Sequence, residues 1–307
     1  MADFFINSIK SQLTWAQEHL QNSPSPLIDA EVLLAFILNK NRAYLYSWPE
    51  KILSPSELIN YQNLIKQRSQ GTPIAYLINS REFWSLDLIT NPNVLIPRPE
   101  TELLVEAVLK YLGSNPPLCP VGHIGPPLHG LNQNQVRTTT TIADFGTGSG
   151  AIAIALSCER PDWKIFALDS SKQALSIAEQ NIQKHGCSNI TLIHSHWGKN
   201  LHTPHSLDAI VSNPPYLAQN DPHLALGDLR FEPKSALVSG ESGLEDFEQI
   251  IQDAKLLLKP QGFLFFEHGY QQAESIYQLL IKNNFSFITT LKDINNHDRV
   301  SVGQLVV

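Results

Sequence analysis

The chain has 307 residues, 42% hydrophobic and 17% charged, and a formal net charge of −7. This is enough chain for two domains with the composition of a soluble globular protein, and the acidic balance argues against a main task of gripping a nucleic-acid backbone. No apolar run reaches membrane-spanning length, the start Met1-Ala2-Asp3-Phe4-Phe5 lacks the basic segment of a signal peptide, and Cys119, Cys158 and Cys187 show no C-x-x-C spacing. A cytoplasmic protein with reduced thiols is therefore expected.

Residues 1–75 read as a helical domain. Ile6, Ile9, Leu13, Ala16 and Leu20 form one helical stripe, which the run Ser23-Pro24-Ser25-Pro26 stops. Ala30, Leu33, Leu34, Ile37 and Leu38 form a second. A third helix opens at Ser54, with Pro55 at its first position and Glu57 completing a capping box; Leu58, Tyr61 and Ile65 give its buried side and Gly71 ends it. Residues 76–98 read as a hairpin linker, because Glu82 to Ile89 alternate apolar with other residues. Pro97 and Pro99 then keep the chain extended, with Arg98 and Glu100 either a solvated pair or a wall of the site. A helix follows from about Glu100 to Leu112 with Leu103, Leu104, Ala107, Val108 and Tyr111 inward. Residues 113–140, rich in Gly, Pro, Asn, Gln and Thr, read as a flexible insertion, and its His123 and His129 lack partners for a metal.

The remainder, 99–307, alternates strands and helices. Thr141 to Phe145 is a strand, Gly146-Thr147-Gly148-Ser149-Gly150 a glycine-rich turn into a helix, and Trp163 to Leu168 a second strand closed by Asp169. A turn of this kind lets a ligand approach the backbone, and a carboxylate about twenty residues on is placed for ribose hydroxyls. The spacing is G-x-G-x-G with Asp144 ahead of it, which favours a nucleoside cofactor without phosphates, such as S-adenosylmethionine, over a pyrophosphate one. Asp144 is assigned to holding the glycine loop or the amino-acid tail. Asn189 to Ile193 is a third strand, followed by Trp197, which either lies against the adenine or sits in the core. His194, His196, His202 and His205 cluster here without a Cys or acidic partner at ligand spacing, so no metal is expected.

Leu207 to Val211 is a fourth strand, and Asn213-Pro214-Pro215-Tyr216 stands just past its end, where open α/β sheets bind ligands. Two prolines stiffen the loop and remove two donors. The Asn213 carbonyl and the Pro214 C=O can accept both hydrogens of a planar nitrogen nucleophile while Tyr216 packs on its face. Helices near 244–258 and 272–282, a strand Gly262 to Glu267, and an antiparallel pair Phe285 to Leu291 and Val300 to Val307 complete seven strands of a doubly wound α/β sheet.

These features together resemble the class I methyltransferases that use S-adenosylmethionine, and specifically the protein-(glutamine-N5) methyltransferases of peptide chain release factors, the HemK/PrmC family. The resemblance rests on Arg81-Glu82-Phe83-Trp84, Leu95-Ile96-Pro97-Arg98-Pro99-Glu100-Thr101-Glu102, Asp144 with Gly146 to Gly150, Asp169, Ser212 to Tyr216, Arg230-Phe231-Glu232-Pro233 and Glu267-His268-Gly269. It implies a seven-stranded sheet with a small N-terminal helical domain joined by a β-hairpin. It also implies transfer of a methyl group from S-adenosylmethionine, leaving S-adenosylhomocysteine, to the glutamine of the Gly-Gly-Gln motif of class 1 release factors, in support of translation termination. The cofactor role falls on Gly146, Thr147, Gly148, Ser149, Gly150, Asp169, Trp197 and Asn213, and the catalytic and substrate role on Asn213, Pro214, Pro215 and Tyr216. The chain departs from the family at Asn79, where glycine is usual and the hairpin turn is in question, at His196, where aspartate is usual, and in the long insertion. Because the tetrapeptide also serves DNA adenine and rRNA guanine methyltransferases, those are the main alternative; a non-catalytic binding module on the same fold is the second, and the glycine spacing disfavours a nicotinamide oxidoreductase.

Overall fold

The structure, a computed structural model, describes residues 7–113 and 139–306. The expected insertion, with Cys119, His123 and His129, lies outside the described residues except at its edges, as does Ile6.

Five helices, α1 (Ile9–His19), α2 (Pro26–Leu38), α3 (Arg42–Ser47), α4 (Pro55–Ser69) and α5 (Ile74–Leu77), build a helical unit that runs to Ser80 and takes in Ala225–Phe231. The first helix ends at His19, ahead of the proline run, and Pro26 instead starts α2. The capping box of α4 is present: the Glu57 N–H donates to Ser54 Oγ at 3.3 Å and the Ser54 N–H to the Glu57 carboxylate at 2.7 Å. Ile9, Ala16, Leu33, Leu34, Tyr61 and Ile65 fill the core between the helices. Two carboxylates are buried with them. Asp29 accepts from Arg68 Nε at 2.6 Å, and Glu31 accepts from Arg42 and Tyr46. Arg68 also reaches Asp228 at 3.6 Å, which ties the 225–231 segment to the helices.

The larger unit begins with β1 (Ser80–Phe83) and β2 (Leu86–Ile89), the expected hairpin. Its turn residues, Trp84 and Ser85, have φ of +54° and +58°, the signature of a type I′ turn, which matches the twist of the strands. The turn is anchored by the Trp84 N–H, which donates to Glu102 at 2.8 Å, and by its indole N–H, which donates to Glu159 at 2.9 Å. Asn79 also has a positive φ, +52°, which explains why glycine suits this position and why asparagine is tolerated. It precedes β1, so it governs entry to the hairpin and not the turn.

A short 3₁₀ turn, Pro99–Thr101, leads into α6 (Glu102–Leu112), so the helix starts two residues later than expected. Then follow β3 (Thr141–Phe145), α7 (Ala151–Glu159), β4 (Lys164–Asp169), α8 (Lys172–His185), β5 (Ile190–His194), β6 (Leu207–Ser212), α9 (Glu245–Leu257), β7 (Leu258–Glu267), α10 (Ala273–Lys282), β8 (Phe285–Lys292) and β9 (Asp298–Leu305). The sheet has seven strands in the order β5-β4-β3-β6-β7-β9-β8, parallel through β7, with β9 antiparallel to both neighbours. The pleat sends alternate residues to opposite faces. Ile142, Ala209, Val211 and Phe265 pack on one face with α6 and α7 residues. Ala143, Phe145, Ile210, Leu264 and Phe266 pack on the other with α9 and α10 residues.

Replacing Ser54 by Ala removes one half of the capping box. Thermal or urea unfolding is expected to show a loss of about 1 kcal/mol, confined to the helical unit.

Candidate active site

β3 lies between β4 and β6, so the chain runs outward to one side and later returns to the other. A crevice therefore opens beyond the carboxyl ends of β3 and β6. The register brings Phe145 beside Ser212, and the buried Ser212 hydroxyl donates to the Phe145 carbonyl at 2.8 Å. That bond leaves the two predicted motifs, Gly146–Gly150 and Asn213–Tyr216, emerging side by side.

On one wall, the glycine loop hooks over β4. The N–H groups of Gly146 and Thr147 both donate to the Leu168 carbonyl at 2.9 Å. The Gly148 N–H donates to Asp169 Oδ2 at 2.9 Å, and the Ser171 N–H to Asp169 Oδ1 at 2.8 Å. The carboxylate is only half-buried, so part of it remains open to a further donor. Gly146 has φ +74°, and a Cβ there would lie 3.2 Å from the Trp197 ring, so both conformation and space require glycine. Trp197 thus stands over the start of the loop, its indole N–H donating to Asp246 at 3.2 Å, and it also packs against the core. The core reading of this tryptophan is met. Asp144 is fully buried beneath the loop and accepts from the Thr147 hydroxyl at 2.6 Å. Thr147 therefore turns its side chain inward. Burial pushes the Asp144 carboxyl up to about 7, and burial raises Asp169 as well, against the pull of the Ser171 and Gly148 N–H groups.

The other wall is the Asn-Pro-Pro-Tyr corner. Asn213 Nδ2 donates to Thr101 Oγ1 at 3.2 Å. Pro214 is buried, while Asn213, Pro215 and Tyr216 are half-buried. Burial, and then the charge of Glu267, push the Tyr216 hydroxyl up to about 12, so it stays protonated. Gln272 clamps the corner from behind, donating from Nε2 to the carbonyls of Tyr216 at 3.0 Å and Gly243 at 3.2 Å. Arg98 is not solvated with Glu100. It pairs with the buried Glu232, which also accepts the Ile96 N–H at 3.2 Å. The runs around Arg98 and Glu232 thus meet in space.

Four residues with a part in this geometry carried no assigned role in the sequence reading. Asn181 of α8 accepts the Ile89 N–H at 2.7 Å and donates to the Ser149 carbonyl at 2.9 Å, joining the hairpin to the glycine loop. Thr101, Gln272 and Glu267 act on the corner; Thr101 and Glu267 stood in runs that carry the family resemblance, and Glu267 also at the end of a predicted strand. The histidines do not converge: His194 and His205 hydrogen-bond to the carbonyls of Ser170 and Leu258, His196 is exposed, and no group of three metal-binding side chains occurs among the described residues.

Sheet order and a crevice at the strand ends define a class I methyltransferase. A family model described as "PrmC N-terminal domain" matches residues 11–78, and one described as "Methyltransferase small domain" matches residues 128–240. The release factor glutamine methyltransferase of Shewanella oneidensis is 40% identical over 96% of this chain and 96% of its own, and that of Salmonella typhimurium 40% over 94% and 96%. The chain belongs to the release factor glutamine methyltransferase family. Among solved structures it is similar to a release factor-specific protein-(glutamine-N5) methyltransferase from Alicyclobacillus acidocaldarius, with 23% identity, a TM-score of 0.38, and 71% and 99% of the two chains covered.

Asp144 carries a pH signature. Between the ordinary carboxylate range and about 7, the folded state holds a proton that the unfolded chain has released, so stability falls as pH rises through that window. Asp144→Asn keeps an acceptor for Thr147 and has no proton to lose. Melting temperature measured from pH 5 to 8 is expected to fall less in the variant than in the wild type.

Proposed function

We propose that this protein methylates the side-chain amide nitrogen of the glutamine in the Gly-Gly-Gln motif of class 1 peptide chain release factors, with S-adenosylmethionine as donor. The observation that carries the reading is the Asn213 amide: its NH₂ is engaged by Thr101, which leaves Oδ1 to join the Pro214 C=O as an acceptor. An amide nitrogen is a poor nucleophile because its lone pair is delocalised. Two acceptors aimed at its hydrogens hold it in one orientation and stabilise positive charge growing on nitrogen. Orientation of this kind supplies up to about 7–11 kcal/mol of a barrier, so no base is needed before transfer, and the proton leaves afterwards.

S-adenosylmethionine, when bound, supplies a methyl group on a positively charged sulfur. The residues present suit it. The half-buried Asp169 carboxylate can accept from ribose hydroxyls, the glycine loop allows close backbone approach, and Trp197 offers a flat apolar wall. Asp169 beside the loop places a carboxylate at the turn, which disfavours a pyrophosphate and favours a cation. In this reading Gly146 to Gly150, Asp169, Trp197 and Asn213 hold the donor, while Asn213, Pro214, Pro215 and Tyr216 hold the glutamine.

The helical part, about residues 1–75, is assigned to gripping the protein substrate. Its surface leaves Tyr46 65%, Trp48 60% and Ile59 59% exposed, apolar area on which a protein partner can pack. The net charge of −7 favours a protein over a nucleic-acid substrate. Among the described residues no helix is long and apolar enough to cross a membrane. A cytoplasmic location, where release factors act, follows from the proposed substrate.

Mass spectrometry of purified release factor after incubation with enzyme and S-adenosylmethionine is expected to show one added methyl group, on the Gly-Gly-Gln glutamine, with none transferred to rRNA or DNA. Methylation of nucleic acid instead would overturn the assignment. Asn213→Ala is expected to lower kcat by about 100-fold or more while calorimetry still detects donor binding. Asp169→Ala should do the reverse, weakening donor binding by about tenfold or more through loss of the ribose and Gly148 contacts.

A further inference from the structure

We propose that Glu267 is a positioning residue, which through Thr101 fixes the Asn213 amide with its oxygen facing the substrate nitrogen. This rests on the glutamine-methylation reading and adds to it the group that sets the corner's polarity.

The placement comes from the sheet. Ser212 of β6 registers with Phe266 of β7, so Asn213 and Glu267 are the next residues out on adjacent parallel strands. Glu267 is 1% exposed, and its Oε2 has no hydrogen-bond partner among the described residues. The side chains of Thr101 and Asn213 stand beside its carboxylate as the donors that act to lower it. Thr101 Oγ1 also accepts from Asn213 Nδ2.

Donor and acceptor inventory then dictates the orientation. An ionised carboxylate only accepts, so the Thr101 hydroxyl gives its single proton to Glu267 and can only accept from Asn213. Both neighbours of the Asn213 amide on that side are therefore acceptors, and its NH₂ must face them. A flipped amide would set oxygen against oxygen, leaving buried acceptors unpaired. Oδ1 is thereby directed away from β7. A protonated Glu267 can donate, which removes the constraint on Thr101 and lets Asn213 take either orientation.

The protonation state matters because Glu267 sits near neutrality. Burial raises it to about 7, with Glu100 of the 3₁₀ turn adding to the rise, while the Thr101 and Asn213 hydrogen bonds and the charge of Arg299 on β9 oppose it. Tyr216 also faces Glu267 and burial keeps it protonated, while the adjacent His268 bonds to Ser301 and the Gly269 carbonyl and is kept neutral by burial. The ionised form is the one that orients Asn213, so turnover rises with pH through this ionisation.

The test uses the full chain with Glu267→Gln and Thr101→Val, the second serving if the first does not fold. At saturating release factor and S-adenosylmethionine, wild-type kcat is expected to climb to a plateau as pH goes from about 6 to 9. Each variant should lose that climb and show a plateau about tenfold lower, with KM for release factor little changed and the double variant no worse than either single one. The Asn213 side-chain NH₂ resonances, read by NMR without substrate, should be one ordered pair in the wild type above neutral pH and shifted or doubled in both variants. Unchanged resonances and an unchanged pH profile in Glu267→Gln would overturn the proposal. Shifted resonances in a protein whose wild type leaves release factor unmethylated would uphold Glu267 as the positioning group and overturn the substrate assignment instead.

Discussion

The parallel pairing of β3 with β6 is the constraint on which the site depends. The strands are far apart in the chain, and the Ser212 hydroxyl bond to the Phe145 carbonyl spans 67 residues. Because the chain departs from β3 in one direction and returns on its other side, nothing covers the carboxyl ends of the pair with a crossover of its own. The donor motif and the acceptor motif are both direct continuations of these strands. Their spacing is therefore set by the distance between hydrogen-bonded neighbours, about 4.8 Å, and not by loop flexibility.

Rigidity at this pair comes from burial on both faces. Parallel strands need cover on each side, and the alternation of Ile142 with Ala143 and of Ala209 with Ile210 sends one residue to each of two separate cores. Polar groups at the strand ends extend that rigidity outward. Asp169 fastens the middle of the glycine loop, Asn181 its far end, and Gln272 the back of the Asn-Pro-Pro-Tyr corner. Loops of irregular backbone become precise when their N–H and C=O groups are accounted for by fixed side chains. The acidic character of the pocket is a consequence of the same arrangement: Asp144, Asp169 and Glu267 lie at or near the ends of β3, β4 and β7, where burial raises each of them.

Much of this was legible in one dimension because its signals are local. The capping box at Ser54, the glycine turn after an apolar run, and two prolines closing a strand are each decided within a few residues. Helices α3 and α5, of six and four residues, are too short to show a period in the sequence. The hairpin turn at Trp84-Ser85 defeats composition, since neither residue is a usual choice at positive φ and the conformation is held by Glu102 and Glu159 from other elements. Arg98 could not be ranked between solvent and site because its partner, Glu232, is 134 residues away.

Sequence alone determined the order of the seven sheet strands and the longer helices, the two motifs and the kind of chemistry they allow, since periodicity, glycine and proline act through bonds and nearest neighbours. Tertiary structure decided which polar groups answer one another. Thr101 beside Asn213, Glu267 beside both, and Trp197 over Gly146 arise only when strands distant in the chain pair in register. Hydrogen-bond polarity is a property of such meetings, because whether an amide presents its oxygen or its nitrogen depends on what already stands opposite it.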